Sequence, residues 1–162
     1  RLAGEDPQVR QVCIWTPDKD LAQCVQGDRI VQVDRKTNVI RNGEGVRAKF
    51  GVDPQRIPDY LALVGDNADG YPGIAGIGPK GAAGLIARHG PIEDFPPQVL
   101  GERRDLALLF KKLATLRTDA ALFGQVDDIR WRGPMSGFAD WAERLGAPKL
   151  LGRAQAAATA PG

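Results

Sequence analysis

The chain is poor in the residues that staple or anchor a fold. Cys13 and Cys24 are its only cysteines, and His89 is its one histidine. Two thiols with no histidine nearby make neither a zinc-ligand set nor a disulfide framework. A reducing cytoplasm is therefore the expected compartment. No apolar run approaches the roughly 18–20 residues that a membrane span needs, and no opening segment reads as a signal peptide. No membrane partner is expected. Net charge is nearly absent as well, with 22 Lys+Arg against 20 Asp+Glu. Attraction to a polyanion must then come from local placement of charge, not from the whole molecule. Methionine is almost missing: the chain opens at Arg1 and its one methionine is Met135. It reads as the C-terminal part of a longer protein.

Against these shortages, 43% of the residues are hydrophobic. A chain near 150 residues buries about 68–70% of its unfolded surface, so one domain, or one domain with an appendage, is expected. Glycine (20) and proline (12) are abundant, although together they stay below the roughly 25–30% of low-complexity chains.

The apolar pattern predicts a buried strand over Gln11–Trp15, a helical stretch over Leu21–Val25, and a β-hairpin of Ile30–Val33 and Asn38–Arg41 turning at Asp34–Thr37. A short helix over Gly45–Phe50 ends at Gly51. Pro54–Val64 follows as a helix with Asp53 as its cap. Pro79 opens a helix over Lys80–Arg88, which His89 and Gly90 close. Glu102–Arg117 reads as a long helix with Leu106, Leu109, Leu113 and Leu116 on one face. Val126–Trp131 is expected as a strand, Phe138–Leu145 and Leu150–Ala158 as helices, and the chain end as a frayed tail. Trp15, Trp131 and Trp141 are expected in the core. Arg103-Arg104 and Lys111-Lys112 read as a solvated polar face, and His89 as a helix-end residue favoured by the dipole.

Two acidic pairs carry chemistry. Asp18 and Asp20 follow the first strand, and in extended chain positions i and i+2 point to the same side. The plainer alternative makes Asp20 a helix cap and places Asp18 in a turn. Asp66 and Asp69 lie three apart in a glycine-rich loop, where turn chemistry alone also explains them. If the fold joins the pairs, carboxylates about 4 Å apart repel by about 4 kcal/mol at an effective dielectric near 20. Such a cluster raises its own pKa values or recruits a cation. Oxygen ligands without His or Cys favour Mg²⁺ or Mn²⁺. Two such ions stabilise the attacking and leaving oxygens in phosphodiester hydrolysis.

A third feature lies between Gly65 and Gly90, where glycines recur at a density that implies positive φ angles or close backbone approach. In Pro72-Gly73-Ile74-Ala75-Gly76-Ile77-Gly78-Pro79-Lys80-Gly81-Ala82-Ala83, the bare backbone at Gly76 and Gly78 leaves helix-start N–H groups open to an anion. Ile74 and Ile77 point inward to hold two helices together, and Lys80 offers a charge to a phosphate. Contacts of this kind read a nucleic-acid backbone and not its sequence.

These blocks resemble the bacterial 5′–3′ exonuclease family, which includes the 5′-nuclease domain of DNA polymerase I and the flap endonucleases. The resemblance rests on Thr16–Gln23, Phe50–Val52, Ile57–Asp69, the glycine hairpin and Leu113–Asp119, in that order, and covers roughly residues 11–145. It implies an α/β fold: a PIN-like core, incomplete at its N-terminus, with a helical subdomain carrying a helix–hairpin–helix. The implied arrangement is residues 1–45 as the C-terminal part of that core, 46–120 as the helical subdomain, and 121–162 as a strand and helices packing on the core. The implied activity is metal-dependent hydrolysis of DNA at 5′ ends and 5′ flaps, by a monomer using two Mg²⁺ or Mn²⁺ ions. Asp18, Asp20, Asp66 and Asp69 match the metal-site acids. Gly73, Ile74, Gly76, Ile77, Gly78, Lys80 and Gly81 match the duplex-binding element, which in that family also holds K⁺ through backbone carbonyls. Gly81 stands where the family has Thr or Ser, removing a hydroxyl, and Pro17 stands where many members have Gly. The family's remaining acids, and the basic residues gripping the 5′ region, lie in an N-terminal half. The isolated chain is therefore expected to be inactive. A non-catalytic DNA-binding module using only the hairpin, and a PIN-type ribonuclease using only the acids, are the competing readings.

Overall fold

The computed structural model describes residues 1–159; the expected frayed end from 160 onward lies outside the described residues. Two compact units divide the chain, Arg1–Ala121 and Leu122–Gly162. The first is mixed α/β, with a three-stranded sheet ordered β1-β2-β3. Strand β1 (Val12–Ile14) runs parallel to β2 (Ile30–Val33), with Val12 opposite Ile30. Strand β3 (Ile40–Arg41) runs antiparallel to β2, with Gln32 opposite Arg41. The expected hairpin is present. Asp34 holds its turn by accepting the Lys36 and Thr37 N–H groups on Oδ1.

The first strand is shorter and less buried than its apolar run implies. It pairs on one side only, Cys13 is exposed, and Trp15 lies beyond the strand at 57% exposure. All four residues of β2 are buried, because β2 is the central strand. A 3₁₀ turn over Asp20–Cys24 takes the place of the expected helix.

After the short α1 (Leu2–Glu5), the described residues form seven further helices: α2 (Gly43–Phe50), α3 (Ile57–Val64), α4 (Pro79–His89), α5 (Pro97–Leu100), α6 (Arg104–Ala114), α7 (Phe138–Arg144) and α8 (Lys149–Thr159). Asn42 caps α2 by accepting the Gly45 N–H, and Gly51 ends it in the left-handed region. Asp53 precedes a separate 3₁₀ turn over Pro54–Arg56 and makes no capping bond; its carboxylate pairs with Arg47 instead. Helix α3 is almost wholly buried and is the hub of the first unit, because its run Ile57-Pro58-Asp59-Tyr60-Leu61-Ala62-Leu63 has no polar face to give to water.

Helix α6 packs on α3 with a different face from the expected one. Ala107, Phe110 and Ala114 are buried, whereas Leu106, Leu109 and Leu113 are exposed at 43%, 51% and 61%. Ala107 and Ala114 give this face a small surface, and Phe110 stacks at 5.5 Å on Tyr71 of the loop after α3. The leucine stripe sits one register away, and Leu116 lies past the helix end at Ala114.

In the second unit, Val126–Ile129 is a 3₁₀ turn and not a strand. Gln125 and Asp128 form a reciprocal capping box there, which closes the backbone locally before any sheet pairing. Trp131 and Trp141 are exposed at 57% and 59%, so they are not core residues. No helix among the described residues is long and apolar enough to cross a membrane.

Candidate metal centre

The loop after α3 is shaped by two glycines in backbone contact. Gly65 and Gly73 have φ of 91° and 74°. A Cβ on Gly73 would lie 2.7 Å from the Leu63 carbonyl oxygen, and closer still to Gly65 N. A Cβ on Gly65 would meet the Pro72 carbonyl and Gly73 N in the same way. Only glycine permits this crossing. The crossing closes a loop in which Asp66 N–H donates to the Tyr71 carbonyl (2.8 Å) and Tyr71 N–H donates back (3.1 Å). Asp66 and Asp69 are thereby held in a fixed turn at the C-terminal end of α3.

The other acid arrives from the sheet. Gln32, fully buried on the central strand, donates from Nε2 to the Asp18 carbonyl and ties the loop after β1 to β2. Asp20 then begins the 3₁₀ turn. One carboxylate oxygen each of Asp20, Asp66 and Asp69 lie within 4.8 Å of one another. Residues 46 positions apart in sequence thus meet at one point. Asp18 stands beside this trio and not within it. Its Oδ1 accepts the Asp20 N–H at 3.1 Å, which is the turn role of the plainer reading.

The electrostatics show a cluster with excess negative charge. Burial pushes the Asp20 carboxyl up, and a hydrogen bond with Asp69 and the charges of Asp69, Asp18 and Asp66 add to it, to about 7. Asp20 Oδ1 is buried and has no hydrogen-bond partner in the protein. Burial, then the charges of Asp20, Asp66 and Asp69, push the Tyr71 phenol up as well. A cation from the chain enters the cluster: Lys19 Nζ lies 2.8 Å from Asp66 Oδ2. Lys19 is a residue to which the sequence alone gives no role. Its signal was a lone lysine set between two aspartates, Asp18-Lys19-Asp20.

The hairpin extends from this loop. Ile74 is buried, its N–H donating to the Leu63 carbonyl at 2.8 Å, and Ile77 packs half-buried beside it. Gly76, Gly78, Lys80 and Gly81 are exposed, and no atom lies within 4 Å of where a Cβ on Gly76 or Gly78 would stand. Gly78 is the N-cap of α4, and Ala82 N–H bonds back to its carbonyl at 2.9 Å. The Lys80 and Gly81 N–H groups precede that first bond and face outward. Arg103 is engaged by the fold, donating from Nη1 to the Ala75 carbonyl of the hairpin at 2.8 Å. Arg104 reaches the Phe95 carbonyl, and Lys111 pairs with Asp59 and Glu93. These three cations are structural and not a free polar face.

The family model described as 5′-3′ exonuclease, C-terminal SAM fold, matches residues 52–136. The chain is 37% identical over 135 residues to a 5′-3′ exonuclease of Aquifex aeolicus, covering 76% of this chain and 45% of that protein. It is 38% identical over 138 residues to a DNA polymerase I of Pseudomonas aeruginosa, covering 74% of this chain and 15% of that one. It is 38% identical over 95 residues to the flap endonuclease Xni of Pectobacterium carotovorum, covering 52% and 36%. The chain thus spans less than half the length of these relatives. A T5 5′-exonuclease structure with bound zinc superposes with a TM-score of 0.59 at 20% identity, covering 65% of this chain and 43% of that one. A T5 flap endonuclease complex with DNA and metal ions gives a TM-score of 0.59 at 19% identity, with the same coverage. At these identities the structures establish a shared nuclease fold.

Proposed function

The chain belongs to the 5′-3′ exonuclease C-terminal SAM-fold family, and from that premise we propose that it serves in divalent-metal hydrolysis of DNA at 5′ ends and 5′ flaps. Within it, residues 1–45 form the C-terminal part of a PIN-like core and 46–120 a helix–hairpin–helix subdomain. The observation that carries the reading is the meeting of Asp20, Asp66 and Asp69 from distant segments around a buried oxygen with no partner.

The donor set fits Mg²⁺ or Mn²⁺: three carboxylate oxygens, with no thiolate or imidazole to favour a softer metal. Asp20, Asp66 and Asp69 would hold the ions, and Asp18 would support them from the rim. Divalent ions there would offset charge on the attacked phosphodiester and lower the pKa of the attacking water. The chain's own residues do the rest. The Gly65–Gly73 crossing fixes the acids relative to the hairpin. The hairpin presents the Lys80 and Gly81 N–H groups and the Lys80 ammonium to a backbone phosphate, with α4 adding its positive end. The absence of a hydroxyl at Gly81 leaves one fewer contact there. A K⁺ ion at the hairpin rests on the family resemblance alone.

A chimera tests this reading: the 162-residue chain replaces the segment it aligns with in the Aquifex exonuclease. The chimera is expected to cut a labelled 5′-flap duplex with Mg²⁺. Asp66→Asn in it is expected to lower the rate by about 10³-fold, as loss of a transition-state charge contact does. Flap cutting that is indifferent to both Asp20→Asn and Asp66→Asn would leave only the hairpin-based DNA-binding module. Preference for single-stranded RNA would favour the ribonuclease. Replacing Gly78 by a bulky residue is expected to weaken binding to all DNA sequences alike, and each lost phosphate contact lowers the log–log salt slope by about 0.9.

A further inference from the structure

Asp66 is 3% exposed and both its oxygens are engaged: Oδ1 accepts the Ala68 N–H at 3.0 Å, and Oδ2 receives Lys19 Nζ at 2.8 Å. Lys19 itself is not enclosed. Its side chain is 38% exposed and springs from the residue that opens the Asp20–Cys24 turn. A four-carbon stem on such a turn reaches either the acid or the solvent with small rotamer changes. The cluster thus contains one movable unit of positive charge, bonded to an acid that stands within 4.8 Å of two others.

A divalent ion held by Asp66 would lie in direct contact with the carboxylate oxygen. An ammonium hydrogen-bonded to that same carboxylate faces it as a like charge. The two cations compete for one acid, and the ammonium, on a side chain 38% exposed, is free to swing into water. We propose that Lys19 is a tethered counter-ion, which neutralises Asp66 while the cluster holds no metal and is displaced into solvent when a divalent cation binds. This rests on the metal reading above. Lys19 thereby lowers metal affinity and keeps the empty cluster folded at neutral pH. Lys111 shows the contrasting case, a lysine 19% exposed and held by both Asp59 and Glu93, with no acidic cluster of three around it among the described residues.

The test uses the 162-residue chain and Mn²⁺. Free Mn²⁺ is followed by electron paramagnetic resonance for the wild type and for Lys19→Met, which keeps the stem and removes the charge. Lys19→Met is expected to bind Mn²⁺ about tenfold more tightly, the low end of what one neighbouring charge does to a carboxylate's proton affinity. Reductive methylation of wild-type lysines, read by mass spectrometry, needs no variant. The Lys19 amine is expected to react faster once Mn²⁺ is present, while Lys111 stays unchanged. Mn²⁺ bound by the wild type, with equal or weaker binding by Lys19→Met or with Lys19 reactivity unmoved, overturns the counter-ion role and leaves the metal reading standing. Failure of both wild type and Lys19→Met to bind Mn²⁺, in the isolated chain and in the Aquifex chimera alike, overturns the metal reading and the counter-ion with it.

Discussion

Helix α3 has a buried aspartate near each end, and the two are used in opposite ways. Asp59, in its first turn, is 1% exposed and accepts two hydrogen bonds on Oδ1, from the Ile92 N–H and from Lys111 Nζ, both at 2.8 Å. Lys111 also reaches Glu93 at 2.6 Å. Although burial pulls it down, the Lys111 ammonium is held above its usual value by hydrogen bonds to Asp59 and Glu93. That end is charge-matched. Asp66, just past the last turn, is as deeply buried and also meets a lysine, but it shares its space with Asp20 and Asp69. That end carries unbalanced negative charge and a buried oxygen with no partner. One acid serves the fold; the other is kept at a cost to it, as acids held for chemistry are.

Breaking the matched end is expected to have the largest effect. Lys111→Met leaves Asp59 buried and uncompensated and is expected to remove about 3 kcal/mol of stability in urea titrations at neutral pH. Next comes the crossing that separates the two ends' environments. Gly73→Ala places a methyl against the Leu63 carbonyl and Gly65 N in a left-handed backbone. It is expected to cost about 2 kcal/mol and, in the folded remainder, to abolish Mn²⁺ binding by moving the acid loop. A smaller change of opposite sign is expected at the crowded end. Asp69→Asn removes a like charge at an exposed position and is expected to raise metal-free stability by up to about 1 kcal/mol while weakening Mn²⁺ binding. A loss of stability there would show that the two ends are not opposites.

The subtlest difference is in pH dependence. Asp20 titrates near 7 in the folded, metal-free chain against 3.8 for an ordinary aspartate. The folded state therefore holds a proton that the unfolded chain has released. The stability this contributes is complete below about pH 4 and is lost as pH rises through about 7. Thermal unfolding in EDTA between pH 5 and 8 is expected to show a declining Tm whose slope flattens in Asp20→Asn. Saturating Mn²⁺, which favours the ionised acids, is expected to reverse the decline. A metal-free Tm that rises over the same range would contradict the charge crowding at this end of α3.

Legibility differed between these regions for physical reasons. The β2–β3 hairpin, α2 with its Gly51 stop, and α4 between Gly78 and Gly90 were readable because turn and cap residues act through their own backbone. The α6 stripe misled because leucine spacing names a face without naming its partner; close packing on α3 selected alanines. Val126–Trp131 misled because its β-branched and aromatic residues have no outcome without a neighbouring strand, and a capping box was nearer. The exposed tryptophans show the same lack of a partner to bury them.

Sequence alone determined which chemistry was available: hard oxygen donors in two short acidic pairs, and a glycine-rich bend made for close backbone approach. Those are properties of side-chain type and local φ, and neighbours a few residues away settle them. Tertiary structure decided which acids meet, turning Asp18 onto a backbone N–H while joining Asp20 to Asp66 and Asp69. It also decided that Lys19 reaches one of them and Lys111 reaches Asp59. Coulomb energy depends on distance through space, and only the folded chain sets that distance between residues far apart in sequence.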